Sequence, residues 1–267
     1  MIKAVLEIGG HLILRHLVLC AALFILSGCV YQPLVDLNPG NWFATTSEVE
    51  VQPEVASPVK LATQDARARF FLPSREIVKL PAPKLEVNAE VQSQLNLYRK
   101  SKFVQKGLER AKPLRAYVRQ ILHDEGLPEE LEALAFIESA YQPQVRSYAG
   151  AVGLWQLMAS TARMYGLKVG WLKDQRKDPI LSSIAAARHL RDLYFIFNDW
   201  HLALAAYNAG SASIRRAMHR SGAKDFWELS RSGGLKKQTR QFVPKFIAAA
   251  LLLKEHTSES AVISSPS

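Results

Sequence analysis

From residue 88 onward, apolar positions recur at spacings of three and four, the period of helices that bury one face. Val91, Leu95 and Tyr98, then Phe103 and Leu108, predict one or two helices. Leu114, Val118, Ile121 and Leu122 predict another, closed by Gly126 and restarted at Pro128. The next covers residues 131–141 and is stopped by Pro143. Ser160 is placed to cap a short helix ended by Gly166, and Asp178-Pro179 supplies the cap and first-turn residue of a long one reaching Phe197. A helix over 199–208 ends at Gly210, a natural left-handed cap. Helices over 211–220 and 225–229 precede a last one running to about His256, with Pro244 inside it as a kink or a new start. No run of alternating β-branched residues is long enough for a sheet, so the expected fold class is all-α.

Ahead of this region the pattern is different. The only long apolar run, 12–26, is interrupted by Arg15 and His16, which leaves ten apolar residues at 17–26. That is too short to span a bilayer, which takes about 20 residues, and is right for a secretory signal. The run ends in Leu26-Ser27-Gly28-Cys29, which resembles a bacterial lipobox. The resemblance implies a lipoprotein whose mature chain begins at a lipid-bearing Cys29; an ordinary signal with a chance cysteine is the plainer alternative. Val30 in place of Asp resembles the sorting pattern of Gram-negative lipoproteins kept at the outer membrane, facing the periplasm. Cys20 would leave with the signal, so no disulfide or cysteine metal site is expected. Residues 30–87 hold 7 of the 13 prolines and no sustained period, which predicts an extended tether, although Phe70-Phe71-Leu72 is apolar enough to dock. The expected organisation is a signal peptide at 1–28, a lipid-anchored linker at 29–87, a helical domain at 88–257 and a polar tail at 258–267.

Charge sharpens that division. Residues 1–87 carry 8 basic and 8 acidic groups, whereas 88–267 carry 26 and 16, so the whole excess of +10 sits in the helical part. With 48% hydrophobic residues the chain can bury a sizeable core and is not wholly disordered. The seven histidines form no pair at helical ligand spacing, so neither a metal site nor a cofactor is expected.

Three clusters could carry chemistry. Glu138 shares a helical face with Leu131 and Leu134, which places a carboxylate on an apolar stripe. Burial there raises the pKa, as a general acid working near neutrality requires; the alternative is a structural Glu paired with Arg146 or Arg163. Between Ser139 and Lys173 there is no Asp or Glu, while residues 150–158 form a glycine-punctuated turn bearing Trp155, Gln156 and Met158. There the chain could approach a ligand closely, or could merely pack Leu, Trp and Met into a core. In Ala205-Ala206-Tyr207-Asn208-Ala209-Gly210, Tyr207 could hydrogen-bond a carboxylate on a neighbouring helix, or be a core tyrosine satisfied by backbone.

Together with Gly126-Leu127-Pro128, Arg176-Lys177-Asp178-Pro179 and Thr239-Arg240-Gln241-Phe242-Val243-Pro244, these clusters resemble the lytic murein transglycosylases of the goose-lysozyme-like superfamily, most closely the membrane-bound type D branch. The resemblance implies a lysozyme-like helical domain in which Glu138 is the sole catalytic acid/base. That residue would protonate the oxygen between N-acetylmuramic acid and N-acetylglucosamine, then take a proton from the muramic 6-hydroxyl as it attacks its own anomeric carbon, giving a 1,6-anhydro end. An intramolecular nucleophile removes the need for the second carboxylate of most glycosidases. By the same resemblance Ser147 would contact the muramoyl sugar or its N-acetyl group, Gln156 would hydrogen-bond substrate, Met158 would pack beside the acid, Tyr207 would hold its carboxylate and Asn208 would order that helix end. The chain departs from the family's Glu-Thr-Arg-x-Tyr by carrying Gln238 and Phe242, and the LysM repeats common at the C-terminus of the type D branch do not follow in this sequence, so glycan affinity is expected from the domain itself. The alternatives are a hydrolytic lysozyme on the same fold, with Asp174 or Asp178 folded back as second carboxylate, and a non-catalytic murein-binding scaffold. The implied partners are peptidoglycan strands and, through Cys29, a membrane. Nucleic acid, which the cationic Arg215-Arg216 and Lys236-Lys237 pairs could suggest, is set aside because murein stems also carry carboxylates.

Overall fold

A computed structural model describes residues 77–263, with side chains to Thr257. The apolar leader, Cys29, the Phe70-Phe71-Leu72 stretch, the rest of the linker before Ile77 and the last four residues lie outside the described residues.

Nine α-helices and no extended strand occur among the described residues. Helix α1 (Ala89–Lys100) begins behind Asn88, whose side chain accepts from the Val91 amide at 2.9 Å. Helix α2 (Lys102–Asp124) is one continuous helix through Pro113, joining stripes that the period alone assigns to separate helices. Val104, Leu108, Ala111, Val118, Ile121 and Leu122 form one buried face across the proline, and that packing offsets the backbone hydrogen bond the proline removes. A 3-10 turn (Glu129–Leu131) leads into α3 (Glu132–Ser139), shorter than the expected 131–141. The helix stops because Ala140 and Tyr141 turn left-handed, at φ 49° and 60°, before Pro143 is reached. Helix α4 (Ala159–Met164) starts two residues earlier than a Ser160 cap would place it: Met158 holds the N-cap in extended backbone, without a side-chain capping bond. The remaining helices are α5 (Pro179–Phe197), α6 (Trp200–Ala209), α7 (Ser211–Ser221), α8 (Phe226–Arg231) and α9 (Lys237–Ile263). Asp178 accepts from the Ile180 and Leu181 amides, Asp199 from Leu202 and Asp225 from Glu228. Pro244 lies within α9 without ending it, and the helix continues into residues 258–263.

The centre is α6, whose residues from Trp200 to Ala206 are all buried, as expected of a helix apolar on every side. Helix α9 packs on α1, α3 and α6, and α5 packs on α2 and α6. Small residues on these faces, Ala203, Ala205, Ala248 and Ala249, are fully buried and let the helices approach closely. Residues 77–87 run extended against this core. Leu80 N–H donates to Gly126 O (2.9 Å), Trp200 Nε1–H to Pro81 O (2.6 Å) and His201 Nε2 to Lys84 O (2.9 Å), with Leu80 and Leu85 against the apolar centre.

Two buried carboxylates are matched by arginines. Glu132, 2% exposed, receives Arg115 through Nε (2.9 Å) and Nη2 (2.6 Å) and Arg119 through Nε (2.9 Å) and Nη2 (2.5 Å). Glu125 at the end of α2 pairs with Arg188 (3.0 Å) and Arg191 (2.8 Å) of α5. Both sets are bidentate or shared, the geometry in which a guanidinium best compensates a desolvated carboxylate.

Candidate active site

Glu138 occupies the last turn of α3, just before the left-handed pair that turns the chain away. The residue is half-buried, and desolvation of its carboxyl pushes the pKa up to about 8. Among the described residues it has no ion pair: Arg163 instead donates to Val169 O (2.9 Å), and Arg146 is exposed. The structural alternative of a Glu138–arginine pair is therefore not what the fold builds. The adjacent Ser139 is buried, and its hydroxyl reaches Leu154 O (2.8 Å) and Ala135 O (3.1 Å), tying the end of α3 to the 150–158 turn.

That turn is held from several sides. Ser147 and Ala151 exchange backbone bonding, Ser147 N to Ala151 O at 2.9 Å, while Ala151 N donates to Ser147 Oγ at 3.1 Å. Val152 and Leu157 pair through both amides, each at 3.2 Å. Gly153 stands at φ +86°, and a Cβ there would lie 1.9 Å from Arg176 O, so only glycine fits. Gln156 is also left-handed (φ 46°), and its amide nitrogen donates to Gly153 O (2.9 Å) and Val145 O (3.3 Å). Trp155 is fully buried, with Nε1–H on Ser183 Oγ at 2.8 Å. Arg176, 3% exposed, clamps the loop by donating from Nη1 to Gly150 O (2.9 Å) and Leu157 O (3.1 Å). Its other edge grips Asp174 at 2.9 and 2.7 Å, and that pairing holds the Asp174 carboxyl below the usual range.

From α6, Tyr207 donates its single hydroxyl proton to Trp155 O at 2.7 Å. Desolvation raises its pKa well above the ordinary value, and the charge on Glu138 raises it further, which places the phenol in electrostatic reach of that carboxyl. Behind Tyr207 the His189 ring sits tilted at 5.3 Å, with Tyr165 a further 5.3 Å beyond. Tyr165 gives its proton to Asp192 (2.7 Å), so its 3.2 Å contact with His189 Nδ1 requires the imidazole to be the donor. Burial holds His189 down to about 4, neutral at physiological pH. Asn208 Oδ1 accepts from Thr239 Oγ1 (3.0 Å), joining the end of α6 to α9.

The fold thus gathers Glu138, Ser147, Gln156 and Tyr207 around one turn, with Met158, 45% exposed, where that turn enters α4; Asn208 faces α9. Sequence reasoning left Ser139, Ser183, His189 and Tyr165 without roles and quoted Arg176 only as part of a motif. For Arg176 the available signal was Asp174 two residues earlier, the first acid in the chain after Glu138. Phe242 is buried at 6% exposure, so its missing hydroxyl removes nothing from an open surface, and Gln238 is exposed. Asp174 is engaged by Arg176, and Asp178 caps α5.

Residues 118–230 match the family described as Transglycosylase SLT domain. The chain is 37% identical over 150 residues to the membrane-bound lytic murein transglycosylase D of Escherichia coli strain K12, covering 54% of this chain and 32% of that protein. It is 34% identical over 110 residues to a putative tributyltin chloride resistance protein of Alteromonas sp. strain M-1, covering 41% of this chain and 53% of that one. Among solved structures, an inactive mutant of the lytic transglycosylase Slt from Pseudomonas aeruginosa aligns with a TM-score of 0.47 at 27% identity, covering 54% of this chain and 24% of that one. The chain spans about a third of the length of the transglycosylase D it matches.

Proposed function

We propose that the chain, whose residues 118–230 match the Transglycosylase SLT domain, is a lytic transglycosylase that cleaves peptidoglycan strands without water. The bond broken is the β-1,4 link between N-acetylmuramic acid and N-acetylglucosamine. Glu138, protonated below about pH 8, gives its proton to the glycosidic oxygen as the C1–O bond breaks. The resulting carboxylate accepts the proton of the muramic 6-hydroxyl while O6 bonds to C1, closing a 1,6-anhydro ring and returning Glu138 to its starting state. No water is consumed and no external nucleophile is needed.

The observation that carries this reading is the isolation of Glu138: a carboxyl raised to about 8 by desolvation, with no ion pair among the described residues. A retaining or inverting hydrolase needs a second carboxylate about 5–9.5 Å away. The two candidates for that task, Asp174 and Asp178, are engaged by Arg176 and by the start of α5. Tyr207 supports the acid from below. Since its proton goes to Trp155 O, its oxygen is available to accept from protonated Glu138 and so favours the neutral form. Gln156, whose amide nitrogen is spent on the turn, offers substrate its carbonyl oxygen. Ser147 and Met158 line the approach, and Asn208 acts by holding α6 against α9.

The same reading assigns 88–257 to catalysis, 1–28 to export and 29–87 to a linker. It places the protein on a membrane facing the periplasm, held by lipid on Cys29 and sorted to the outer membrane. The supports for this placement are the lipobox-like Leu26-Ser27-Gly28-Cys29 and the membrane-bound relative.

The test is mass spectrometry of fragments released from purified murein by the full chain beside Glu138→Gln. Anhydromuramoyl ends from the native chain and about 10²–10⁴-fold fewer from the variant are expected. Reducing ends would make the protein a hydrolase; retained binding with no release by either chain would make it a scaffold.

A further inference from the structure

Beyond the turn beside Glu138, the acid-free stretch ends in a tightly bonded, cationic hairpin. Residues 139–173 contain Arg146, Arg163, Lys168 and Lys173 and no Asp or Glu before Asp174. The hairpin is pinned at its base by Gln175 N to Lys168 O (2.9 Å), by Lys168 N to Gln175 Oε1 (2.6 Å) and by a Val169–Asp174 bridge. Gly170 N closes the tip onto Lys173 O at 2.9 Å, and Arg163 of α4 grips Val169 O. The one carboxylate within it, Asp174, is neutralised by Arg176.

On this tip Trp171 is 96% exposed and Leu172 89% exposed, and Met164 on α4 is 76% exposed. Leaving a Trp–Leu pair in water forgoes the stabilisation that burying each side chain would bring. A hairpin fixed by this many bonds has not collapsed to hide them. The groove beside the pair is lined by Arg163, Leu167, Lys168 and Lys173.

We propose that the 170–173 tip docks on an anionic lipid bilayer. Trp171 and Leu172 enter the interfacial layer, and Lys168, Lys173 and Arg163 meet phospholipid headgroups. A glycan strand is the weaker fit. A sugar ring takes one flat aromatic face and polar partners, and Leu172 offers neither, whereas an aliphatic–aromatic pair flanked by lysines matches a headgroup–acyl boundary. Because Arg176 is bonded both to Asp174 at the hairpin and to Gly150 and Leu157 of the turn beside Glu138, docking sets the orientation of that turn to the bilayer. The inference stands apart from the catalytic reading and from any lipid on Cys29.

The experiment is tryptophan quenching of the full chain on vesicles of brominated phosphatidylglycerol, measured against unbrominated vesicles, for wild type and Trp171→Phe. Trp155 and Trp200 are buried and Trp227 half-buried, so they report little, and Trp42 contributes equally to both chains. Most of the wild-type quenching is expected to vanish in Trp171→Phe and to fall in Lys168→Glu/Lys173→Glu. It is also expected to be weak on brominated phosphatidylcholine. An unchanged thermal midpoint keeps misfolding out of the comparison, since the side chain is exposed. Equal quenching in both chains would overturn the proposal. Equal quenching with weaker sedimentation of Trp171→Phe on purified murein sacculi would overturn it in favour of a glycan platform.

Discussion

The two ends of α3 carry the same residue type in opposite settings. Glu132, at the start, is almost wholly buried and receives two arginines, so its charge is met inside the protein. Glu138, at the end, is less buried by surface yet has no such partner among the described residues, and burial of its carboxyl alone pushes the pKa up to about 8. Depth therefore does not decide the role of a carboxylate here; the supply of compensating charge does. One glutamate ties α3 to α2, and the other is left with a proton it can give away.

The contrast can be broken at either end. The largest effect is expected at Glu138→Gln, which removes the proton donor while keeping the shape. Release of anhydromuramoyl fragments should fall by about 10²–10⁴-fold, measured by mass spectrometry against native chain. Glu132→Gln should do the reverse, leaving the chemistry in place but stranding Arg115 and Arg119. A loss of about 3–5 kcal/mol is expected in denaturant unfolding, and a loss near zero would mean the arginines find other acceptors. Gly153→Ala forces a Cβ into Arg176 O and a left-handed backbone on alanine. It should cost more than about 1 kcal/mol and lower kcat with it, because the turn that faces Glu138 must shift. Tyr207→Phe strands the Trp155 carbonyl, with an expected loss of about 1–3 kcal/mol and a pH profile whose upper limb moves to lower pH as Glu138 loses its neutral-form acceptor.

The same carboxyl also sets a stability trend with pH. Glu138 ordinarily titrates near 4.5 in the unfolded chain and near 8 in the folded one. The folded state then holds a proton that the unfolded state releases, so the stabilisation present below about 4.5 is lost as pH rises through 8. Activity should share that upper limit, and Glu138→Gln should gain thermal midpoint over wild type progressively across the same interval.

Most of the helical framework is legible in the chain because it rests on local chemistry. Asp178, Asp199 and Asp225 announce helix starts, and Gly210 an end, through bonds made within a turn. The errors lie where distant packing overrides local signals. Pro113 does not divide α2 because a continuous buried face carries the helix across it. Met158, with no capping oxygen, takes the cap of α4 because the turn before it delivers the chain there in extended form. Glu138 stands out in sequence by sharing a face with leucines, but nothing in its neighbourhood tells that Arg163 is bonded to Val169 O and that Arg146 is exposed to solvent. Ser139, Ser183 and the Tyr165–His189 pair were invisible for the same reason: each acts on a residue more than ten positions away.

The extended stretch 77–87 has a mechanical consequence. A pull on the chain ahead of Ile77 reaches the domain first at Leu80, Pro81 and Lys84, whose carbonyl and amide groups are bonded to Gly126, Trp200 and His201. Tension is delivered to the first turn of α6 and the corner after α2, not to the free end of α1. The opposite end of that same central rod carries Tyr207, so the strap at 77–87 and the phenol within electrostatic reach of Glu138 share one stiff element, and a tug that spares the fold can still be felt beside that carboxyl.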